Sequence, residues 1–151
     1  MGIDKDIQQY QFRNDFQRAE VNLIFTCNWL NERIKQIIDE ADITTQQYNI
    51  LRILRGSKKP LSTLQIRDRM LDKMSDTSRI VDRLIKKELA DKSVCITDKR
   101  LVDICISEKG LHLLEQLDSR NGDIDHLLHN LTNDEALHLS RLLDKIREKA
   151  Q

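Results

Sequence analysis

Arg79, Arg83 and Lys86 stand at i, i+4 and i+7, the spacing that places three cations along one face of an α-helix. Such a row suits phosphate oxygens, or the O6/N7 edge of guanine when a guanidinium points into a major groove. Ser75, Asp76 and Ser78 lie at the start of the same segment. Short polar side chains there cap a helix and join its free amides at an anion, and Ser75 is the expected cap. A second polar cluster, Asp98, Lys99 and Arg100, separates two runs of alternating apolar residues and so predicts the tip of a hairpin. The 151 residues carry no formal net charge, which argues against a polyanion partner until the charges are located. Between Arg52 and Arg100 there are 14 Lys or Arg against 7 Asp or Glu, a local excess of +7 that the rest of the chain cancels. A basic face on an otherwise acidic body is the electrostatic footprint of nucleic-acid binding.

Other chemistry finds little support. There is no GxSxG, no Gly-rich phosphate loop and no Cys and His pairing with an evident base, so an enzyme is not expected, nor a cofactor. Cys27, Cys95 and Cys105 form no CxxC pair and are odd in number, which argues against a disulfide framework and a structural zinc site. Reduced, half-buried thiols are expected, with Cys27 in the core because it falls on an apolar stripe. Counting outward from a hairpin tip at Asp98 and Lys99 places Cys95 opposite Val102, out of register for a disulfide with Cys105. His126, His129 and His138 invite a metal reading, but the HxxH pair needs ligands from elsewhere, and no metal site is assigned. Asp82 and Arg83 admit a second role as an internal brace.

These residues need elements to hold them. From Phe12 the apolar positions Phe12, Phe16, Ala19, Leu23, Cys27, Leu30, Ile34 and Ile37 step by three or four, which predicts a helix of about seven turns. One helix of that length cannot hide its apolar face against its own small chain, so a partner helix is implied. After a break at Ala41 to Ile43, Thr44 with Gln47 and Ser62 with Gln65 form capping boxes for two short helices, the first burying Tyr48, Leu51 and Leu54 and the second Ile66 and Met70. In the next helix Thr77, Ile80, Val81, Leu84 and Ile85 share the back face. Ser75, Ser78, Arg79, Asp82, Arg83 and Lys86 share the front. Two short helices joined by a turn, the second cationic in front, follow the helix-turn-helix plan.

After Leu89 the apolar period falls to two, through Val94 and Ile96 and then Val102, Ile104 and Ile106, which predicts the hairpin. Ser107 caps a helix with Leu111, Leu114 and Leu117, kinked near Asn121 and Gly122 and continuing through Leu127, Leu128 and Leu131. Thr132 with Glu135 opens the last helix, predicted to bury Leu139, Leu142, Leu143 and Ile146. The expected fold is mainly α with a small β-hairpin wing and six helices, a winged helix-turn-helix. Residues 1–40 and 118–151 would form dimerisation helices in a single domain, through Phe12, Phe16, Leu23, Leu139, Leu143 and Ile146, and residues 44–117 the winged region. No apolar run approaches the ~20 residues of a membrane helix, and the N-terminal stretch lacks the layout of a secretory signal, so a cytoplasmic protein is expected.

The middle of the chain resembles the MarR family of bacterial transcriptional regulators. The resemblance is carried by SRIVDRL at Ser78 to Leu84, by Asp98 and Arg100 as a DxR, and by DKRLVDICISEKG, close to the wing signature DxRxxxVxLTxxG. It implies a homodimer that sets two winged helices on neighbouring turns of a pseudo-palindromic DNA operator, usually to repress, with release by a small-molecule effector or by oxidation. It also implies that Arg100 enters the minor groove with its guanidinium held by Asp98, while Lys99 adds charge at the tip. Glu88 stands where the family usually has Gly, which predicts a helix end of different shape or without a left-handed cap. The first wing strand, ADKSVCIT, has Lys92 alone where relatives are Arg-rich. From the zero net charge a different class of function also follows, a helical dimer using the winged region for protein contacts. Tyr10, Phe12, Phe16 and Trp29 are the aromatic residues available to line an effector site.

Overall fold

The computed structural model describes residues 2–94 and 102–148, so Asp98, Lys99, Arg100, Cys95 and Ile96 lie outside the described residues. A one-turn helix α1 (Ile3–Asp6) precedes the long α2 (Asp15–Ile38). Asn14 caps α2 by accepting from the Gln17 amide at 2.9 Å, so Phe12 falls before the helix instead of opening it. A 3-10 turn (Asp39–Ala41) leads to α3 (Thr45–Gly56), β1 (Leu61–Ser62), α4 (Thr63–Arg69) and α5 (Thr77–Lys86). Then come β2 (Ala90–Val94), β3 (Val102–Ile106), α6 (Glu108–Asp118), α7 (Asn121–His126) and α8 (Asn133–Arg147). All three capping boxes form, at Thr44 with Gln47, Ser62 with Gln65 and Thr132 with Glu135.

The sheet is three-stranded and antiparallel, with β3 between β1 and β2. The alternating pattern predicts only two strands. β1 is only two residues long, too short to show a period, and pairs Leu61 with Ile104. Across the hairpin Val102 pairs with Val94, not with Cys95 as counted from the tip, and Cys105 pairs with Asp91. The predicted kinked helix after Ser107 is also different. It ends at Asp118 and resumes at Asn121, and Leu127, Leu128 and Leu131 follow α7 in successive turns.

One core sits under the winged region: Ile50 and Leu51 from α3, Leu61 from β1, Ile66 from α4, Leu84 from α5, Ile104 from β3 and Leu114 from α6 are almost fully buried. The long helix reaches this core only at Ile37 and Ile38. In the single chain α8 buries none of its residues: Leu139, Leu142 and Ile146 are exposed and Leu143 is half-buried, so the face expected to be buried is not covered from within the chain. Phe16 and Leu23 are likewise exposed, as is Cys27, which is no core thiol in the single chain. The periodicity marks the apolar face of each helix, but the chain itself does not cover it.

Two joints fix the core's outer elements. Arg55 of α3 donates through both terminal nitrogens to Asp118 at the end of α6, at 2.6 and 3.1 Å. The hydrogen bond from Arg55 holds the Asp118 carboxyl below the usual carboxylate range, against partial desolvation. The second joint closes α5. Glu88 adopts φ 61°, the left-handed region, so the cap is present although Gly is not. Its amide donates to the Ile85 carbonyl at 2.9 Å and the Leu89 amide to the Leu84 carbonyl at 2.9 Å, the two bonds of a Schellman motif. Ser107 caps α6 by accepting from the Gly110 amide at 3.0 Å and donates its own hydroxyl to the Glu88 carbonyl at 2.7 Å. Gly110 passes so close that a Cβ there would collide with the Leu89 carbonyl, a physical reason for the last glycine of the wing signature.

A carboxylate whose pKa is lower in the folded state stabilises fully above its unfolded pKa, and that contribution fades as pH falls through the folded value. Asp118→Asn should therefore cost about 0.5–1 kcal/mol at neutral pH. The difference from the parent should shrink in urea unfolding as pH falls through and below the ordinary carboxylate range; a gap that does not change with pH would remove the charge of Asp118 from the joint. Glu88→Gly relieves the left-handed strain and should raise stability by about 0.5–1 kcal/mol, seen as a higher urea midpoint with unchanged slope. A lower midpoint would mean that the Glu88 to Lys109 ion pair, 3.4 Å apart, outweighs the strain.

Candidate nucleic-acid interface

α5 is built as a two-faced bar. Thr77, Val81 and Leu84 are buried, Ile80 and Ile85 are half-buried, and the element packs on α3, α4 and β2. Ser78, Arg79, Asp82, Arg83 and Lys86 are exposed on the other side. The 3.6 period puts the cations in front because the core takes every position behind. Ser75 is not the cap. Asp76 takes that place, its carboxylate accepting from the Arg79 amide at 3.2 Å, because Ser75 belongs to the preceding turn, its amide donating to the Asp72 carbonyl at 3.3 Å. Asp76 thus spends its charge on the helix start, where the dipole favours an anion.

The brace expected between Asp82 and Arg83 does not form. Asp82 lies 3.7 Å from Lys92 of β2, linking α5 to the first wing strand. Among the described residues Arg83 has no ion pair, and neither do Arg79 and Lys86, so the row of three faces outward. Arg67 and Arg69 of α4 and Lys73 of the turn are exposed nearby in sequence and add to the basic front. The turn itself is anchored, the Leu71 amide donating to the Asn49 side chain of α3 at 2.9 Å.

Lys87 escaped the sequence reading. It directly follows the cationic row, yet its Nζ turns back to the carbonyl and the carboxylate of Asp42, the latter at 3.0 Å. Asp42 closes the 3-10 turn after the long helix in a left-handed conformation, φ 51°. No local pattern marks that pair, since 45 residues separate its members. Two open grooves flank it. One, about 390 Å³, lies between Ile43, Leu89, Lys109 and His112; the other, about 520 Å³, lies between Lys35, Thr44, Gln46 and Arg83. Neither includes Tyr10, Phe12, Phe16 or Trp29, and Tyr10 and Phe16 stand largely in solvent.

The histidine pair is stacked, His126 on His129 with centroids 4.2 Å apart. Among the described residues no group of three or more His, Cys, Asp or Glu is placed to hold a metal ion, and no helix is long and apolar enough to cross a membrane.

No protein-family model matches the chain. The multiple antibiotic resistance protein MarR of Salmonella typhimurium is 28% identical over 127 residues, 82% of this chain and 88% of that protein. Among solved structures, a mutant of MarR from E. coli complexed with operator DNA superposes with a TM-score of 0.80 at 21% identity, over 92% of this chain and all of that one. BpsR of Bordetella bronchiseptica, whose DNA binding is regulated by 6-hydroxynicotinic acid, superposes with a TM-score of 0.79 at 18% identity, over 93% of this chain and all of that one. The last two likenesses establish the fold, a helical protein with a small antiparallel wing. Together with the sequence match across the same elements, and with the outward cationic row on a capped second helix, they liken the protein to regulators and not to enzymes: in sequence and fold the chain is similar to the MarR family of winged helix-turn-helix transcriptional regulators.

Proposed function

We propose that the protein is a cytoplasmic, homodimeric, sequence-specific repressor that binds a pseudo-palindromic operator and leaves it when a small ligand binds or a thiol is oxidised. The observation that carries DNA binding is α5 itself, with Arg79, Arg83 and Lys86 exposed in front of a buried Thr77, Val81 and Leu84. In this reading Arg79 and Arg83 reach base edges or phosphates in the major groove, Lys86 takes a phosphate, and Ser75 and Ser78 join the free amides at the helix start. Asp76 orients Arg79 through the cap. Asp98, Lys99 and Arg100 complete the interface from the wing tip on the strength of sequence resemblance alone. The E. coli neighbour bound to operator DNA supports this docking mode.

The dimer reading rests on α2 and α8. An apolar face that its own chain leaves in water is covered at little cost by a second copy of itself, because an isologous contact needs one patch only. Phe12, Phe16 and Leu23 would meet Leu139, Leu143 and Ile146 across or beside the twofold axis, with residues 1–40 and 118–151 as the dimerisation part and 44–117 as the winged part. The effector reading is supported by the two grooves beside Lys87, which join the end of α5 to the turn after α2. An occupant there would touch both the dimer helix and the recognition helix. The oxidation reading rests on sequence resemblance alone.

Phosphate-driven binding weakens as salt rises, with a log–log slope of about −0.9 per phosphate neutralised. The purified protein should bind selected duplexes at low salt with a slope of several such units, and Arg79→Ala should lose about 1–3 kcal/mol of discrimination if it reads a base. A uniform loss over all sequences would assign Arg79 to phosphate. Binding to protein partners that ignores salt, with none to DNA, would favour the winged region as a protein-contact module. For the dimer, Leu143→Glu should shift sedimentation from two chains to one while the helical signal survives; an unaltered dimer would place the interface elsewhere.

A further inference from the structure

The apolar row of the recognition helix, extended backwards from Leu84 and Val81 to Thr77, steps next onto Met74. In a longer helix Met74 would be core. The helix instead starts at Thr77 with Asp76 as its cap, at φ −76° and ψ 84°, and the chain before it swings out. Met74 ends 93% exposed and Leu71, at the other end of the same turn, 86% exposed, higher than Leu64 at 58% on the neighbouring α4. This is not a loose loop. The Leu71 amide is held by Asn49, the Met74 amide donates to the Asp72 carboxylate at 3.0 Å, and Lys73 reaches back to the Asp68 carbonyl. A fixed turn therefore presents a long, polarisable apolar side chain to water immediately before the helix start, with exposed Lys73 preceding it in sequence and exposed Arg79 following five residues on. Asp72 and Asp76 are committed to the turn and the cap, and the exposed cations of α4, the turn and α5 point to a polyanion as the occupant; the one apolar feature in the major groove of a polyanionic duplex is the C5-methyl group of thymine.

We propose that Met74 is a specificity-determining residue that reads thymine methyl groups at the operator, next to the bases reached from the start of α5. The inference rests on the DNA-binding reading above and adds to its cationic row a contact that carries sequence information without a hydrogen bond. Arg79, Arg83 and Lys86 supply attraction and polar contacts. Met74 favours thymine over cytosine at one position of each half-site, because cytosine lacks the methyl.

Replacing thymine by deoxyuridine removes the methyl while keeping the O4 acceptor and the base pair, so it isolates this contact. On duplexes selected from a random pool with the purified protein, each thymine of a half-site is replaced in turn and affinity is read by fluorescence anisotropy at fixed low salt. The parent protein should lose about fourfold at one or two positions, the worth of burying one methyl-sized group. Met74→Ala and Met74→Ser should bind the uracil and thymine duplexes equally at those positions, with the parent's salt slope and thermal unfolding, since the side chain is exposed. Two results would overturn the proposal: parent affinity indifferent to the methyl at every position while salt-dependent operator binding persists, or a methyl preference that survives both substitutions. Absence of any DNA binding by the parent would instead overturn the DNA-binding reading, and this inference with it.

Discussion

The end of the recognition helix is the place on which the arrangement depends. The last carbonyls of a helix have no partner inside it and carry the negative end of its dipole. Here the Leu84 and Ile85 carbonyls are closed by the left-handed turn at Glu88, and three of those that follow are met by one neighbouring helix start: Lys87 by the Lys109 ammonium at 2.9 Å, Glu88 by the Ser107 hydroxyl and Leu89 by the Ser107 amide at 3.2 Å. Ser107 therefore serves two helices at once, capping α6 and closing α5. Gly110 lets the backbones approach closely enough for this, and the strands β2 and β3 that run between Leu89 and Ser107 are held at both ends by it. The direction of the cationic face is thus set by a backbone joint and only secondarily by the side chains on that face.

That joint also shows what was legible in the sequence. The faces of α5 were, because a 3.6 period with Thr77, Val81 and Leu84 on one side admits one solution. The caps at Thr44, Ser62, Ser107 and Thr132 were, because an oxygen side chain three residues before a free amide is a local arrangement. Features settled by tertiary packing were not. Asp76 displaced Ser75 as cap because the preceding turn holds the Ser75 amide. Glu88 took a conformation that glycine prefers because the carbonyls around it are held from α6. β1 forms only because Ile104 offers Leu61 a partner, and the hairpin register shifts by one residue from a count that assumed where the tip lies.

The long helices illustrate a different limit. A stripe such as Phe16, Leu23 and Cys27 says that a face must be covered but not by what, and the leucines of α8 pose the same question at the other end. Exposure of Leu139, Leu142 and Ile146 resolves it in one respect: the winged region completes its core without α8 and with only the last turn of α2. A core that closes without the ends leaves the ends free to serve another purpose. It also explains why Cys27, apolar by position, is left uncovered by its own chain.

Charge was the least legible quantity. The excess of +7 between Arg52 and Arg100 counts Arg55, Lys87 and Lys92, all of which are spent inside the fold, on Asp118, Asp42 and Asp82. Lys87 is the instructive member, since its neighbour Lys86 faces out on the same helix end. A lysine one residue further on rotates about 100° around the axis, and that rotation carries it from the front of α5 to the turn that ends the long helix. The cations that remain in front are fewer than the count suggests but lie on adjacent elements, α4, the turn and α5, with Asp76 committed to a cap and Asp82 to Lys92. Local potential follows from which charges are left unspent and where the backbone aims them, so a chain of zero net charge still presents a basic face.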